Sequence, residues 1–456
     1  MPTFAPGRLA AWSCGRWTAE PSSPITGFGT DTRTLASGEA FVAVRTGRRD
    51  GHDYLGDARA RGASCAVVSR PVADALPQLV VDDTQAALRR LAASWRDLFP
   101  GPVIGVTGSV GKTSTKDLLG ALLGPAAFVT EANLNNLLGV PLMLLRADPS
   151  VHRWAVIEAG MSVPGELGVS ARVLRPDVAV VTAVAAVHLE GVGDLAGVAR
   201  EKSELVAALR EGGRAVLPAS LLSWPPFAAL ASRCTAVRFA GEPAPAVPPA
   251  ALVEAELGDD GAGRRTLRVG GRTLVLGPVS DGLARNAALA VVAADLVGAD
   301  PGAVAAALAA WTPPAGRGSL HADGGRSWYV DCYNSSPASL ADSAACFDRL
   351  SRGSPEPRLW IVGGMAELGP ESPRLHREAL AKLPVRSGDS VILFGGDAPA
   401  ALAALPAAAQ GAVAATHAEL AAFAAARRGF VFLKGSRAHA LEKALPASVL
   451  STLPFH

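Results

Sequence analysis

The segment GVTGSVGKTSTKDLL, residues 105–119, contains the residue types and spacing that most clearly predict chemistry in this chain. An apolar run leads into a turn with glycines at 108 and 111, and Lys112 and Thr113 then open an apparent helix. Such a turn needs glycine because its backbone takes positive φ and approaches a ligand closely. The N–H groups of Gly108, Ser109, Val110 and Gly111 would converge on phosphate oxygens, helped by the positive end of the helix.

The side chains that follow the turn extend this prediction to a nucleotide and a metal ion. Lys112 would reach the β- and γ-phosphates, and the hydroxyl of Thr113 would bind Mg²⁺. The general P-loop pattern has a glycine five residues before Gly111, where this chain has Val106. The prediction therefore rests on the succession of strand, glycine turn, Gly-Lys-Thr and helix.

Three residues further along the chain could complete a catalytic site. Glu158 ends the strand AVIE, His188 follows the strand VVTAV, and Lys202 lies in AREKSEL, where we predict the start of a helix. The carboxyl ends of parallel strands bind ligands in α/β sheets, and a carboxylate readily shares a phosphate-bound Mg²⁺. Taken singly, each also has a structural reading: Glu158 as a cap or surface acid, His188 as a core histidine, Lys202 as a solvated lysine.

Composition excludes several classes of function. The 456 residues suggest two to four domains, and a net charge of +2 without a basic tail gives no electrostatic support for nucleic-acid binding. The five cysteines are widely spaced and form no CxxC, which argues against a zinc site and for reduced thiols in a cytoplasmic protein. We see no secretory signal and no apolar run of the ~18 residues that a membrane span needs.

The order of apolar segments predicts an α/β protein with three domains. Residues 1–99 alternate short buried strands at 41–44, 65–69 and 78–83 with helices at 54–62 and 84–99, and Pro100-Gly101-Pro102 ends this unit. In residues 100–313, uninterrupted apolar strands separated by helices indicate a parallel sheet covered on both faces, followed by a hairpin at 266–278 and a helix at 284–300. Residues 314–456 add the strands WYVDCY, RLWIVGG, SVILFGG and FVFLKGS.

Longer segments of the sequence resemble the Mur ligase family, and within it the type that adds D-alanyl-D-alanine. The resemblance covers nearly the whole chain and is carried by TDTRTLASGEAFVAVRTGRRDGHDYLGDARARGA (30–63), TGSVGKTS (107–114), NLNNLLGVPLMLL (133–145), AVIEAGMSVPGELG (155–168), RPDVAVVTAVAAVHLEGVGDLAGVAREKSEL (175–205), GRG (316–318), VDCYNSSPASL (330–340), GGMAELGPES (363–372) and FLKGSRA (432–438). The LNN, AELG and KGSR segments favour this type within the family.

The resemblance implies a small N-terminal α/β domain that binds the UDP-substrate, a central P-loop ATPase domain with a parallel sheet, and a C-terminal Rossmann-like domain. It implies an ADP-forming ligase that joins D-alanyl-D-alanine to UDP-N-acetylmuramoyl-tripeptide through an acyl phosphate, in peptidoglycan synthesis. The expected cofactors are ATP and Mg²⁺, with two ions, and the expected partners are small molecules, with no nucleic acid, no membrane span and a monomeric chain.

The same resemblance assigns roles to residues of this chain. It implies that Thr113, Glu158, His188 and Lys202 bind the metal, with Lys202 carbamylated, and that Lys112, Glu158, His188 and Lys202 serve catalysis. Implied ATP contacts are Gly108, Ser109, Val110, Gly111, Lys112, Thr113, Ser114, Asn136, Asn286, Arg317, Asp331, Tyr333 and Asn334. Implied substrate contacts are Thr32, Arg33, Arg49, His52, Lys434, Ser436 and Arg437.

Some positions depart from the family pattern, and other functions remain open. The family often has Gly where this chain has Ala132, and His where it has Gly282. It often has Asp in place of Gly364 and Asn in place of Ser336. The alternatives are another Mur-type ligase with different peptide specificity, an inactive nucleotide-binding relative, or a P-loop kinase or transporter ATPase. The diamino-acid-adding type normally has an Asp-Asn-Pro motif in its last domain, and this chain has none there. An inactive relative would be expected to lack Glu158, His188 or Lys202, which are present.

Overall fold

A computed structural model of the chain describes residues 2–185, 193–261 and 263–453. The chain forms two compact units. The first comprises residues 1–107, 123–180 and 203–215, and the second comprises residues 108–122, 181–202 and 216–456. The first boundary between the units falls after residue 107, so the glycine turn opens the first segment of the second unit.

The N-terminal part of the first unit is a five-stranded sheet with helices. Its elements are α1 (Pro6–Ser13), β1 (Arg16–Trp17), β2 (Phe28–Gly29), β3 (Ala40–Val42), α2 (Leu55–Ala60), β4 (Cys65–Val68), β5 (Gln78–Val80) and α3 (Thr84–Leu98). The strand order is β1-β5-β4-β3-β2, parallel except for β1. Helix α3 begins where the Asp83 carboxylate accepts the Ala86 N–H at 2.7 Å. The strands and helices predicted here are confirmed, and the two-residue strands β1 and β2 were not predicted.

The next elements along the chain include the strands that lead to the glycine turn and to Glu158. They are β6 (Val103–Thr107), α4 (Lys112–Leu123), β7 (Ala127–Val129), α5 (Gly139–Arg146), β8 (Trp154–Glu158), α6 (Glu166–Leu174), β9 (Val178–Val181), α7 (Leu195–Ala207) and β10 (Arg214–Pro218). Within the first unit the strands lie in the order β9-β6-β8-β7, and β8 pairs in parallel with both β6 and β7. All residues of β6, β8 and β9 are buried, as the absence of polar alternation predicts.

Beyond β10, the second unit continues with helices and with strands that pair both in parallel and antiparallel. It contains α8 (Pro225–Ala228), β11 (Cys234–Phe239), β12 (Ala251–Asp259), β13 (Arg265–Val269), β14 (Arg272–Leu276), α9 (Asp281–Leu296) and α10 (Pro301–Ala310). Strand β11 pairs in parallel with β12, and β12, β13 and β14 follow one another antiparallel. The predicted hairpin is thus confirmed, while β11 and the long β12 were not predicted.

The C-terminal part of the second unit is a six-stranded sheet. Its elements are β15 (Ser319–Asp323), β16 (Arg326–Asp331), α11 (Pro337–Leu350), β17 (Leu359–Gly363), α12 (Ser372–Leu380), β18 (Ser390–Phe394), β19 (Gln410–Val413), α13 (His417–Ala425), β20 (Gly429–Lys434) and α14 (Ala447–Leu450). The order is β15-β16-β20-β17-β18-β19, with β15 alone antiparallel to its neighbour. The four strands predicted from apolar runs are β16, β17, β18 and β20, all confirmed.

Short 3₁₀ helices connect some of these elements. They are Gly51–Tyr54, Ala219–Ser223, Ala231–Arg233, Gly369–Glu371, Pro399–Ala404, Arg437–His439 and Leu441–Ala444. In the six-stranded sheet, separate apolar cores cover the two faces. Helices α11 and α12 pack on the face with Tyr329 and Phe432, and α13 packs on the other. The carboxyl ends of the adjacent strands β16 and β20 therefore open a crevice between connections that leave on opposite faces.

Candidate functional site

The glycine turn before α4 has the backbone shape that the sequence predicts. Gly108 and Gly111 have φ of 147° and 82°, which only glycine adopts without strain. Helix α4 begins at Lys112, and the Lys112 Nζ folds back to donate to the Gly108 carbonyl at 2.8 Å. The first N–H groups of a helix have no partner within it, so the turn and the helix start together form an anion-binding cradle.

The segment after β9 braces this turn. Thr182 Oγ1 donates to the Val110 carbonyl at 2.5 Å, and the Ser109 N–H donates to the Ala183 carbonyl at 2.9 Å. A Cβ on Gly108 would lie 1.9 Å from Thr182 Oγ1, so a side chain at position 108 would displace the brace. Sequence reasoning did not identify this role of Thr182.

Asn286 packs directly against the same turn. It lies in the second turn of α9, and a Cβ on Gly111 would come within 2.1 Å of its Nδ2. Gly111 is therefore required twice, by its positive φ and by this close approach. The placement supports the predicted contact of Asn286 with a nucleotide.

A cavity of about 370 Å³ in the second unit brings most of the predicted ATP-binding residues together. Its walls are the glycine turn, the first turns of α9 and α11, and the carboxyl ends of β16 and β20. Predicted residues that line it are Ser109, Val110, Gly111, Lys112, Thr113, Ser114, Asn286, Arg317, Asp331, Asn334 and Lys434. Asp281, Ser335 and Asp342 also line it, and none of these three was predicted.

Arg317 links the turn to the chain around β16. Its Nη2 donates to the Thr113 Oγ1 at 3.2 Å, and its guanidinium carbon lies 3.7 Å from the centre of the Tyr333 ring. A planar guanidinium stacks well on an aromatic face. Tyr333 therefore orients Arg317, while Arg317 faces the residue predicted to hold the metal.

Asp331 and Lys434 form a buried ion pair at the crevice between β16 and β20. They are register partners, and Lys434 Nζ lies 2.8 Å from Asp331 Oδ2. Lys434 also donates to the Asn334 carbonyl at 2.8 Å, and Ser343 Oγ donates to the same carboxylate oxygen of Asp331. Lys434 was predicted as a substrate contact; with 1% exposure, its ammonium fixes Asp331 and the chain at Asn334.

In the first unit, Glu158 ends β8 as predicted and is held by an asparagine that sequence reasoning missed. Its Oε1 accepts a hydrogen bond from Asn135 Nδ2 at 2.7 Å, and its backbone N–H donates to Thr130 Oγ1 at 2.9 Å. Glu158 pairs in register with Val106 of β6. A buried carboxylate oriented in this way suits a hard cation such as Mg²⁺.

Asn136, which was predicted to contact ATP, has a structural use. Its Oδ1 accepts the N–H groups of Leu138 and Gly139, at 3.1 and 2.9 Å, where α5 begins. Its neighbour Asn135 therefore has the contact to a predicted metal ligand, and contact of Asn136 with ATP stays a prediction.

Lys202 is not at the start of a helix, which corrects the prediction from AREKSEL. Helix α7 begins at Leu195, because the Asp194 carboxylate accepts the Gly197 N–H at 2.7 Å and caps the helix earlier. Lys202 lies well inside α7 and is 1% exposed. His188 lies outside the described residues. Within those that are described, no three His, Cys, Asp or Glu side chains are grouped as a metal site.

The predicted substrate residues of the N-terminal part lie on loops of the five-stranded sheet. Arg33 is exposed and its Nη2 lies 2.5 Å from Asp31 Oδ2, which holds the pKa of Asp31 down to about 2. Thr32 lies between them, and Arg49 is exposed.

His52 is buried, unlike these neighbours. Its Nε2 accepts the Ser69 N–H at 2.9 Å, so its Nδ1 carries the proton and donates to Asp50 at 2.5 Å. The structure therefore supports a role for His52 in shaping the loop of residues 46–52, and its direct contact with substrate stays a prediction.

The segment after β20 contains the last two predicted substrate residues. Ser436 is buried and its Oγ accepts the Ala366 N–H at 2.9 Å, while Arg437 Nη1 lies 2.5 Å from Glu442 Oε1. Ser436 thus ties this segment to the loop after β17. Arg437 is more open, with its side chain 44% exposed.

Two chain-wide features bear on the environment of the protein. All five cysteines are free thiols, and burial raises the pKa of Cys65, Cys332 and Cys346 to about 12. Buried thiols with high pKa values are poor nucleophiles and poor metal ligands.

In the described part of the chain, no helix is long and apolar enough to cross a membrane.

Family models match three successive parts of the chain. Residues 24–96 match the Mur ligase family catalytic domain, residues 106–240 match the Mur ligase middle domain, and residues 316–437 match the Mur ligase glutamate ligase domain.

Individual relatives and solved structures are similar over most of their length. The UDP-N-acetylmuramoyl-tripeptide–D-alanyl-D-alanine ligase of Escherichia coli is 35% identical, over 80% of both chains. The enzyme of the same name from Synechocystis is 32% identical, over 81% of this chain and 79% of its own. A crystal structure of MurF from Acinetobacter baumannii superposes with a TM-score of 0.86 at 27% identity, over 99% of both chains. MurF from Thermotoga maritima in complex with ADP gives 0.77 at 26% identity, over 94% of this chain and 97% of its own.

Proposed function

Because this chain belongs to the Mur ligase family, we propose that it is the ATP-dependent ligase that joins D-alanyl-D-alanine to UDP-N-acetylmuramoyl-tripeptide. The product is the UDP-N-acetylmuramoyl-pentapeptide used in peptidoglycan synthesis. The observation that carries the proposal is the cavity in which Lys112 and Thr113 of the glycine turn meet Arg317, Asp331 and Lys434. Relatives that cover four fifths of the chain have this activity in their names.

The reaction proceeds in two displacements. A carboxylate oxygen of the tripeptide attacks the γ-phosphorus of ATP, the new O–P bond forms, and the bond to the bridging oxygen breaks as ADP leaves. The amine of D-alanyl-D-alanine then attacks the acyl carbon, the C–O bond to phosphate breaks, and the amine loses a proton as the amide forms. Catalysis of such a sequence is mostly positioning and neutralisation of charge.

Residues of the cavity divide this work. The glycine turn and Lys112 bind the phosphates, and the stacked Arg317 places a positive charge beside Thr113. Asp331, fixed by Lys434 and Ser343, presents a carboxylate at the end of β16 to the nucleotide. Asn286 borders the turn from α9. Contacts from Ser109, Val110, Ser114, Tyr333 and Asn334 shape the same cavity or orient its charged groups.

We assign Mg²⁺ to Thr113, Glu158, His188 and Lys202, with two ions in all. Oxygen ligands suit this hard cation, and the buried Glu158 carboxylate and the Thr113 hydroxyl would supply them. Bound Mg²⁺ would neutralise charge that develops on the phosphates. The chain's own contribution is to orient these ligands, as Asn135 does for Glu158.

Lys202 fits this set only as a carbamate. An amine that is 1% exposed loses solvation as an ammonium, and in its neutral form it adds to CO₂ with loss of one proton. The carbamate is an anion with two oxygens, so a lysine position supplies the kind of ligand that Mg²⁺ prefers.

The remaining assignments concern substrates and setting. We propose that the uridine nucleotide binds to Thr32, Arg33, Arg49 and the loop shaped by His52. The peptide substrates bind near Lys434, Ser436 and Arg437. We propose a cytoplasmic location, and the free thiols and the nucleotide substrates support this proposal. We propose that the chain acts as a monomer.

The decisive experiment measures phosphate release and product mass together. Purified protein with ATP, Mg²⁺ and UDP-N-acetylmuramoyl-tripeptide should release phosphate only when D-alanyl-D-alanine is added, and the product should gain the mass of the dipeptide less one water. A Lys112→Ala variant serves as the inactive control. Turnover without the dipeptide, or with single amino acids in preference to it, would contradict the proposal.

A further inference from the structure

Gly282 and Asp342 are in close contact on the wall of the cavity. Gly282 lies in the first turn of α9, and Asp342 projects from the second turn of α11. Asp342 Oδ1 accepts the Gly282 N–H at 2.9 Å, and its carboxylate also hydrogen-bonds to the Ser280 side chain. The carboxylate thus satisfies the Gly282 N–H, one of the N-terminal groups of α9 that have no partner within the helix.

The contact is possible only because position 282 has no side chain. A Cβ there would lie 2.5 Å from Asp342 Oδ2 and 3.0 Å from its Cγ. Any other residue would push the carboxylate away from the helix end. Gly282 and Asp342 therefore depend on each other, because the Asp342 carboxylate occupies the space that a side chain at position 282 would fill.

Helix α9 fixes the position of the Gly282–Asp342 contact in the cavity. Gly282 and Asn286 are four residues apart, so they lie on one face of α9, about 6 Å apart along its axis. Asn286 borders Gly111, and Gly282 lies one turn of α9 nearer the N-terminus of that helix, on the wall of the same cavity. A nucleotide whose phosphates occupy the glycine turn would extend its nucleoside along this wall.

The electrostatic surroundings of Asp342 also favour a contact with the nucleoside over a contact with the phosphates. No Lys or Arg nitrogen in the described part of the chain forms an ion pair with it. Burial raises its pKa against the opposing hydrogen bonds from Ser280 and Gly282, and the charges of Asp331 and Asp281 raise it further. A carboxyl in this position would repel phosphate, but it retains acceptor sites, since a carboxylate offers about four and two are used.

We propose that Asp342 is a specificity-determining residue for the nucleotide, accepting a hydrogen bond from a donor of the nucleoside, either a ribose hydroxyl or the amino group of the base. This inference rests on the proposed function, because it takes the cavity to bind ATP. Gly282 makes this role possible, because it leaves room for the Asp342 carboxylate.

Binding measurements on the full chain test the proposal without reference to turnover. Calorimetric titration with Mg²⁺ would compare ATP with 2′-deoxy-ATP, 3′-deoxy-ATP and purine riboside triphosphate, which lacks the 6-amino group. We expect the wild type to bind one analogue about ten- to a hundredfold more weakly than ATP, which is the loss expected for a hydrogen bond to a charged group. Asp342→Ala should weaken ATP binding and remove that one preference. Gly282→Ala should do the same through displacement of the carboxylate.

Asp300→Ala is the matched control. Asp300 caps α10 by accepting the Ala303 N–H at 2.7 Å, but it does not line the cavity. Both aspartate variants lose a carboxylate that accepts an N–H group in the first turn of a helix, and only Asp342→Ala should change discrimination among nucleotides. Discrimination that is equal in the wild type and in Asp342→Ala, with ATP still bound, would overturn this inference and leave the proposed function intact. A wild type that binds no ATP would overturn both.

Discussion

Arg317 donates a hydrogen bond from Nη2 to the hydroxyl of Thr113, 3.2 Å away, across 204 residues of sequence. The same guanidinium stacks on Tyr333, two residues beyond the end of β16. A single side chain thus connects the helix that follows the glycine turn with the strand edge that holds Asp331. Neither partner of Arg317 is predictable from its local sequence GRG, because both are brought to it by the fold.

Replacement of Arg317 by lysine should weaken ATP binding. Lysine keeps the charge but loses the planar group that stacks on Tyr333, an interaction worth about 0.5–2 kcal/mol. We therefore expect KM for ATP to rise about 2- to 30-fold, with KM for the dipeptide unchanged. Initial rates at varied ATP measure this, and Arg268→Lys, in an exposed pair with Glu256, is the control. An unchanged KM for ATP would show that the stacking is not used.

Gly111→Ala should abolish nucleotide binding while Gly124→Ala should not. Both glycines have positive φ, 82° and 72°, so both substitutions should cost about 1–2 kcal/mol of backbone strain. Only at Gly111 would the new methyl group meet another atom, Asn286 Nδ2 at 2.1 Å, whereas nothing lies within 4 Å of a Cβ at Gly124. Calorimetric titration with ATP separates the effect of backbone strain from the effect of the collision. A similar loss of ATP affinity in both variants would contradict the role given to the close approach of Gly111 and Asn286.

How far the sequence predicts this fold is clearest from the strands. Uniformly apolar runs such as β17 and β18 were recognisable because parallel strands covered on both faces need no polar residues. Strand β12 was missed since its sequence ALVEAELGD is mostly exposed or half-buried and follows a proline-rich segment. The strands β1 and β2 have only two residues each, too few for any periodicity to show.

The candidate site divides in the same way. The glycine turn and Glu158 were predictable because each follows directly from a strand end in the local sequence. Asn135 and Asp342 were not, because the first matters through a contact with Glu158 and the second through a contact with Gly282. Such roles arise from residues that only the folded chain brings together, and no spacing in the sequence signals them.

Asn135→Ala should raise the Mg²⁺ concentration that half-saturates the enzyme. Loss of its 2.7 Å hydrogen bond leaves the Glu158 carboxylate less well oriented, and residues that orient metal ligands are typically worth 10- to 100-fold in metal affinity. Rates at varied Mg²⁺ with saturating ATP measure the shift. Asn133→Ala, an exposed neighbour in the same segment, is the control. A half-saturating concentration equal to that of the wild type would remove Glu158 from the proposed metal set.

Asp50→Asn should destabilise the protein at neutral pH and destabilise it less in acid. The His52 N–H, the His52 ring and Arg70 all hydrogen-bond to Asp50 and hold its pKa well below its ordinary value. Since the folded-state pKa is depressed, this stabilisation is present above the unfolded pKa of about 3.9 and is lost as pH falls through the folded value.

Urea midpoints at pH 7, 5 and 3 test this dependence on pH. The difference between wild type and Asp50→Asn should shrink at the lowest pH. Asp57→Asn, with an exposed carboxylate, is the control and should show no such trend. A difference that stays constant from pH 7 to pH 3 would mean that the charge of Asp50 is not what stabilises the loop.

Lys202→Ala should abolish ligase activity, and short-chain carboxylic acids should restore part of it. The substitution removes the proposed carbamate and leaves a small cavity in α7, where a carboxylate of the right size can supply oxygens to the metal. Lys116→Ala is the matched control, since Lys116 is also a buried helical lysine but lies 2.8 Å from Asp117, which already pairs with it. Rescue should appear for Lys202→Ala alone, should rise with acid concentration to saturation, and should not depend on bicarbonate. Full activity of Lys202→Ala without any added acid would refute the carbamate, because a metal set that works without position 202 has no need of the anion that the modified lysine would provide.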